Sequence, residues 1–175
     1  MYRLCLFFFL AIGLAFAGEP VKVCVAQPGG PEAKNWKLQV PVARQIEQEA
    51  AAKQLSLSAP LLTTDNEKRS RAEAGEKGCS YILLMTLDAT RDQVVGTLNP
   101  NPTAKPQADV TRAVNATPTG LDLKYKLITP DGRKTAAATI PMTIKQNATA
   151  SDFEEAGHKL ISTVATQVLE AVTRK

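Results

Sequence analysis

The sequence predicts an α/β fold (α+β mixed) with the element order β-α-β-α-β-β-β-α in a three-layer-like arrangement. Three observations lead to this prediction. The run from Tyr81 to Leu87 is apolar without alternation and lies between Gly78 and Asp88, which is typical of a central strand buried on both faces. Strand and helix patterns alternate before this run, which favours parallel strands. Two alternating segments and a long amphipathic segment follow it, so we expect a mixed sheet with a parallel first half and an antiparallel hairpin.

Residues 1–17 have the pattern of a secretory signal peptide. One arginine precedes the apolar stretch Leu4–Phe16, which closes on the small-x-small sequence Ala15-Phe16-Ala17. The stretch is shorter than the roughly 18 to 20 residues that a spanning helix needs. Cys5 precedes the apolar stretch instead of ending it, which disfavours a lipoprotein anchor. We expect cleavage after Ala17, a secreted or periplasmic location and no stable membrane span in the mature chain.

The mature chain, residues 18–175, has the length of a single α/β domain with its own core. Alternating apolar residues from Val21 to Ala26 predict the first strand. Apolar residues at helical spacing from Val40 to Leu55 predict the first helix. The segment Leu57–Leu62 predicts a short second strand, which Pro60 places at a sheet edge because proline cannot donate to a ladder.

A second helix is predicted between this strand and the central one. Thr63 or Thr64 is the expected N-terminal cap, and Glu67 falls in the first turn, where a carboxylate meets the positive end of the helix dipole. The helix is expected to end around Gly75 or Gly78. Right-handed crossovers would then place the central strand parallel to the first strand and close to it.

The segment of about 90–120 differs in character from the rest of the chain. It contains several prolines and asparagines and only isolated apolar residues, among them Val94, Val95 and Val110. A long insertion of this kind in a compact domain is usually functional or disordered. We expect a flexible loop, and its use as a binding loop and its role as a simple connection both remain open.

An antiparallel hairpin is predicted after the loop. Leu121–Ile128 alternates between apolar and polar residues and forms the first strand, and Thr129–Arg133 has the proline and glycine of a turn. The return strand runs from about Lys134 to Lys145. Pro141 within it indicates an edge or a bulge.

The chain closes with the most regular helical pattern in the sequence. Ser151 to Glu154 reads as a capping box, and Phe153, Leu160 and Val164 begin an apolar stripe that reaches Val172. We expect this stripe to cover the sheet.

Composition and charge exclude several functions. Removal of residues 1–17 takes away one arginine, so 20 basic residues remain against 17 acidic ones, a net charge of about +3. Basic and acidic residues are interspersed, and no basic tract with interleaved aromatics is present, so we expect no nucleic-acid partner. His158 is the single histidine and lies on the polar side of the last helix, which rules out a histidine-based triad or a multi-histidine zinc site. No cofactor, metal or catalytic residue is predicted.

Two cysteines and one tryptophan are the candidate site residues. Cys24 and Cys79 remain after signal cleavage, and an exported chain tolerates a disulfide between them. Two separate buried thiols are the alternative reading. Trp36 precedes the first helix and is either a lid over the core, which we favour, or an interaction anchor.

The order of elements after a signal peptide resembles a group of bacterial envelope domains. This group includes the curli export lipoprotein, the penicillin-binding-protein activator lipoproteins and the N-terminal domain of the Tol-system translocation protein. The matching segments are Val21–Ala26, Ala72–Gly78 running into Tyr81–Leu84, the hairpin Leu121–Ile144 and the helix Phe153–Val172. The resemblance implies a non-enzymatic platform that binds envelope partners. The chain departs from the lipoproteins of the group because it lacks a lipobox.

These patterns predict a non-enzymatic secreted or periplasmic binding or assembly domain. It would act through protein–protein contacts in the cell envelope, using an exposed sheet edge or the loop at about 90–120. One alternative is a hydrolase whose site is assembled from scattered carboxylates, because sequence spacing does not exclude such a site. A carrier of a small ligand is another.

Overall fold

The computed structural model describes residues 20–34, 36–90, 120–143 and 149–174. Five strands and three helices lie in these ranges, in the predicted order: β1 (Val21–Val25), α1 (Gln39–Ala52), β2 (Leu57–Ser58), α2 (Glu67–Glu76), β3 (Tyr81–Thr90), β4 (Gly120–Ile128), β5 (Lys134–Thr143) and α3 (Ala150–Thr173). The predicted signal peptide and nearly all of the predicted loop at about 90–120 lie outside the described residues.

The strands form one mixed sheet in the order β2-β1-β3-β4-β5. β1 pairs in parallel with β2 and β3, and β3-β4-β5 is antiparallel, as predicted. β2 and β5 lie at the two edges, which agrees with the positions inferred from Pro60 and Pro141. The ladder between β4 and β5 shifts register between Leu127 and Ile128, so Thr135 is an extra residue on β5.

Helices cover the two faces of the sheet unequally. α1 and α3 pack on one face over a large apolar cluster that includes Val25, Leu83 and Leu127, all of them fully buried. α2 packs on the opposite face over a smaller cluster that contains Cys24 and Ile82. Neighbouring residues of one strand enter different clusters because strand side chains alternate between faces. The result is the predicted three-layer arrangement.

The prediction that the central strand is buried on both faces holds only for its beginning. Ile82 and Leu83 are fully buried on opposite faces, whereas Thr86 is exposed. α2 has 10 residues, so it is about 15 Å long and reaches only the start of β3. The second half of β3 therefore has one covered face and one face that no described helix covers.

Two helix starts differ from the predicted ones. α3 is capped by Thr149, whose hydroxyl accepts from the Asp152 backbone while the Asp152 side chain accepts from the Thr149 backbone, so the capping box begins two residues before Ser151. α2 is capped by Asn66, while the hydroxyl of Thr64 accepts from the Asn66 backbone. Serine, threonine and asparagine compete for such positions, and the local turn decides among them.

Leu160 and Phe153 test the packing of α3 because both belong to its predicted apolar stripe. Leu160 is 3% exposed in the core, whereas Phe153 is 37% exposed. We expect Leu160→Ala to lower the free energy of unfolding by ~2 to 4 kcal/mol through cavity formation. Phe153→Ala should cost less than about 1 kcal/mol. Urea denaturation of both variants measures the difference, and equal losses would contradict this packing.

Candidate functional site

The space beside the carboxyl ends of the parallel strands is occupied by the protein's own backbone. In open α/β sheets, ligands bind outside the carboxyl ends of strands whose connections leave in opposite directions. Here β1 and β3 form that position, but the chain after β1 continues alongside β3. The Gly29 amide donates to the Met85 carbonyl at 2.9 Å, and the Leu87 amide donates to the Gly29 carbonyl at 2.9 Å. The usual ligand crevice is thus occupied by a paired backbone segment.

Gly30 makes this close approach sterically feasible. It has φ +98°, a conformation that L side chains rarely adopt, and a Cβ atom at this position would overlap the Leu87 carbonyl oxygen. The sequence predicts a flexible connection around this glycine pair, whereas the structure shows both glycines packed against β3. The close backbone approach explains the glycine at position 30, whereas a Cβ atom at Gly29 would make only ordinary contacts, the nearest at 3.8 Å.

Gln39 closes the neighbouring position. Its side-chain amide nitrogen donates to the Val25 carbonyl at 2.9 Å and to the Leu62 carbonyl at 2.7 Å. These carbonyls lie at the end of β1 and in the segment after β2, so the first residue of α1 satisfies both acceptors. Nothing in the predicted helix pattern points to this role, because a glutamine at a helix start usually reads as solvated.

Cys24 in β1 and Cys79, two residues before β3, form a disulfide-like pair. Their Cα atoms are 5.8 Å apart, and the pair is separated by 55 residues in sequence. Both residues are buried in the cluster beneath α2. The pair therefore links β1 to the segment that leads into β3, on the face covered by α2.

The remaining residues singled out in the sequence do not form a reactive centre together. Trp36 is half-buried and packs against the larger core, and a Cβ atom on Gly157 of α3 would lie 3.7 Å from its ring. This position fits a lid. His158 is exposed on α3. Among the residues that the structure describes, no three histidine, cysteine or carboxylate side chains gather in a way that would hold a metal ion.

The outer edge of β5 is the longer of the two edges of the described sheet, since β2 has only two residues. β5 is 10 residues long and, among the described strands, has no neighbour on its outer side. The side chains in its middle are small: Ala137 and Thr139 are exposed, and Ala138 is half-buried. They leave room for a partner strand beside the backbone. Free edges of this kind are templates for pairing with another strand.

Pro141 reveals which backbone groups of β5 point outwards. A proline in an edge strand is tolerated where its missing amide would face away from the ladder. Pro141 lies opposite Asp122, so Ala137 and Thr139, four and two residues earlier, also direct their amides and carbonyls outwards.

The turn between β4 and β5 assigns the same residues of β5 to the outward-facing set, independently of Pro141. The Thr129 amide donates to the Arg133 carbonyl at 2.9 Å. Along an antiparallel ladder, residue pairs that exchange hydrogen bonds alternate with pairs that do not. Counting from the bonded pair at Thr129 and allowing for the extra residue Thr135, Ala137 and Thr139 again fall in pairs that have no hydrogen bonds to β4.

Beside this edge, the face that no described helix covers carries charged side chains. The Lys124 ammonium lies 2.9 Å from the Asp88 carboxylate, which raises the pKa of Lys124 through a hydrogen bond and through charge, with Asp122 adding a smaller attraction. Lys126 lies 3.0 Å from Glu67 at the start of α2. This face carries two lysines and three carboxylates, and the uncharged stretch of β5 borders it.

Comparisons with known proteins give similarity of fold. No protein-family model and no curated protein sequence matches the chain. One similar solved structure is a dodecamer of a PelC point variant from Paraburkholderia phytofirmans, with 13% identity, a TM-score of 0.49 and coverage of 89% of this chain and 90% of that chain. Another is a homologue of neuraminyllactose-binding hemagglutinin from Helicobacter pylori, with 9% identity, a TM-score of 0.42 and coverage of 89% of this chain and 87% of that chain. These values are too low to transfer a function. The resemblance to the curli, penicillin-binding-protein activator and Tol group remains a prediction.

No helix within the described ranges is long and apolar enough to cross a bilayer.

The cysteine pair predicts the thiol content of the protein. We expect no reactive thiols from Cys24 and Cys79 after unfolding without reductant, and a further thiol from Cys5 only where the leader is retained. Because the bridge would close a loop of 55 residues, we expect Cys24→Ala to lower the free energy of unfolding by ~3 to 4 kcal/mol. The double variant Cys24→Ala/Cys79→Ala should lose about as much, since either change removes the same bridge. Two reactive thiols in unfolded, unreduced protein would refute the pairing.

Two glycines give opposite expectations for the same substitution. Gly30→Ala should destabilise the protein by roughly 2 kcal/mol or more, because the methyl group meets the Leu87 carbonyl and φ is positive. Gly75→Ala should stabilise it by about 0.5 to 1 kcal/mol, because Gly75 lies inside α2 with open space around it. Thermal denaturation of both variants checks the signs. A neutral Gly30→Ala would show that the backbone does not approach β3 this closely.

Proposed function

We propose that this protein is a non-enzymatic, exported binding domain that contacts another protein by strand addition at the outer edge of β5. The observation that carries this proposal is the outer edge of β5, which no described strand covers and whose outward amides and carbonyls belong to Ala137 and Thr139. A partner strand would bond to these groups and extend the sheet beyond β5. The signal-peptide pattern of residues 1–17 supports an extracytoplasmic setting, in the cell envelope or outside the cell.

The positions of the blocking features along this edge support its use as a contact. Proteins usually block a free edge with charge, proline, bulges or a covering element. In β5 such features occur only at the ends: Lys134 and the extra residue Thr135 at one end, and Pro141 at the other. The residues between them, 136–140, carry no charge. An edge open in its middle and bounded at its ends fits a contact of defined length.

The alternatives fit the described residues less well. A hydrolase or a small-ligand carrier needs a concave site, and the usual position for one in this fold is occupied by Gly29 and by the side chain of Gln39. Three carboxylates lie at the open face: Asp88 and Glu67 each form an ion pair with a lysine, and Asp122, opposite Asp88 in the ladder, also attracts Lys124. Glycoside chemistry instead needs two carboxyl groups that flank one substrate bond.

Site-specific photo-crosslinking tests the proposed contact. A photoreactive amino acid replaces Thr139 in cells that export the protein, and the matched control carries it in place of His158, which is exposed on α3. We expect a discrete protein adduct at position 139 and none at position 158. Ala137→Pro in the same chain should abolish the adduct, because it removes an outward amide donor without removing a bond to β4.

Equal labelling at both positions, or an adduct that survives Ala137→Pro, would reject the edge as the contact. Circular dichroism of the Ala137→Pro variant shows that loss of the adduct does not come from unfolding.

A further inference from the structure

We infer that the strand added to this edge is the β5 strand of a second copy, paired antiparallel about a two-fold axis through Ala138. This inference rests on the proposed function and names its partner. A two-fold arrangement requires a surface patch that matches itself. The uncharged stretch 136–140 has Ala138 at its centre, so a second copy turned around that residue aligns the whole stretch with itself.

The backbone groups fit this register. With Ala138 opposite its own copy, Ala137 lies opposite Thr139 of the second copy, and the reverse pair forms by symmetry. Because both residues direct amide and carbonyl outwards, each pair exchanges two hydrogen bonds. Four backbone hydrogen bonds therefore join the two sheets.

Pro141 disfavours the two registers that are shifted towards it. It lacks an amide donor, so any outward-facing residue opposite it loses a bond. An axis through Thr139 would place Pro141 opposite Ala137, and an axis through Ile140 would place it opposite Thr139. The axis through Ala138 instead places Pro141 opposite Thr135, the extra residue at which the ladder is already interrupted.

The side chains agree with the same arrangement. On the face covered by α3, half-buried Ala136 would lie opposite half-buried Ile140 of the second copy, so small and larger apolar groups meet across the junction. The two Lys134 side chains would be separated by eight residues along the strand, about 27 Å, which leaves little repulsion. A parallel arrangement in register would bring these two ammonium groups together.

A short ladder of this kind gives a weak, concentration-dependent dimer. Stable interfaces bury about 800 Å² on each partner, more than five residues of one strand supply. We expect self-association at about micromolar concentration or above.

Cysteine crosslinking tests the register directly. In the Ala138→Cys variant of the exported protein, the two introduced thiols would face each other with Cα atoms about 4.5 Å apart, within the range of a disulfide. We expect a covalent dimer on mild oxidation. The matched control Thr139→Cys places its thiols two residues out of register, about 7 to 8 Å apart, and should stay monomeric. A dimer of the control without a dimer of Ala138→Cys would overturn the proposed axis.

Analytical ultracentrifugation tests the hydrogen bonds without added cysteines. Thr139→Pro removes two of the four donors and should raise the dimer dissociation constant at least about tenfold, whereas Thr139→Val keeps them and should change it less than about threefold. Equal dissociation constants for the two variants would overturn the inference.

The two proposals fail in different ways. A wild-type protein that stays monomeric at all concentrations, yet gives an adduct to another protein at position 139, overturns self-pairing and leaves strand addition standing. The absence of any adduct at that position overturns both.

Discussion

The fold depends on β3, which pairs in parallel with β1 on one side and antiparallel with β4 on the other. This strand joins the parallel, helix-linked half of the chain to the antiparallel hairpin. Its alternating side chains also enter both apolar clusters, Ile82 beneath α2 and Leu83 beneath α1 and α3. A change in its register by one residue would exchange these two faces, so both the core and the position of the hairpin follow from its pairing.

The unequal length of the helices explains where the surface is open. α3 has 24 residues and α2 has 10. Among the described residues, one face is therefore covered along the hairpin, while no helix covers the other face beyond the beginning of β3. Lys124 and Lys126 occupy the uncovered face and pair with carboxylates there. This polar face is compatible with water, and the backbone edge of β5 beside it still offers hydrogen bonds to a partner strand.

The closed strand ends and the open edge together favour a protein partner over a small ligand. Gly29, Gly30 and Gln39 use backbone and amide groups to fill the position at which α/β sheets usually bind ligands. β5, in contrast, keeps an outer side that no described strand pairs with, bounded by a bulge and by Pro141. The filled strand ends and the open edge both involve backbone polar groups, and neither requires a reactive side chain.

The sequence by itself determined the order of the elements, the mixed sheet and the two edge strands, because alternation, helical spacing and the positions of Pro60 and Pro141 are local signals. It also brought Cys24 and Cys79 into the same neighbourhood through the parallel crossovers. Only the tertiary structure decided that Thr86 is exposed, that Phe153 lies outside the core and that the glycine pair packs against Leu87. Those outcomes depend on how far one helix reaches over a strand and how closely two distant backbone segments approach. Side-chain periodicity within one segment contains no information about such distances.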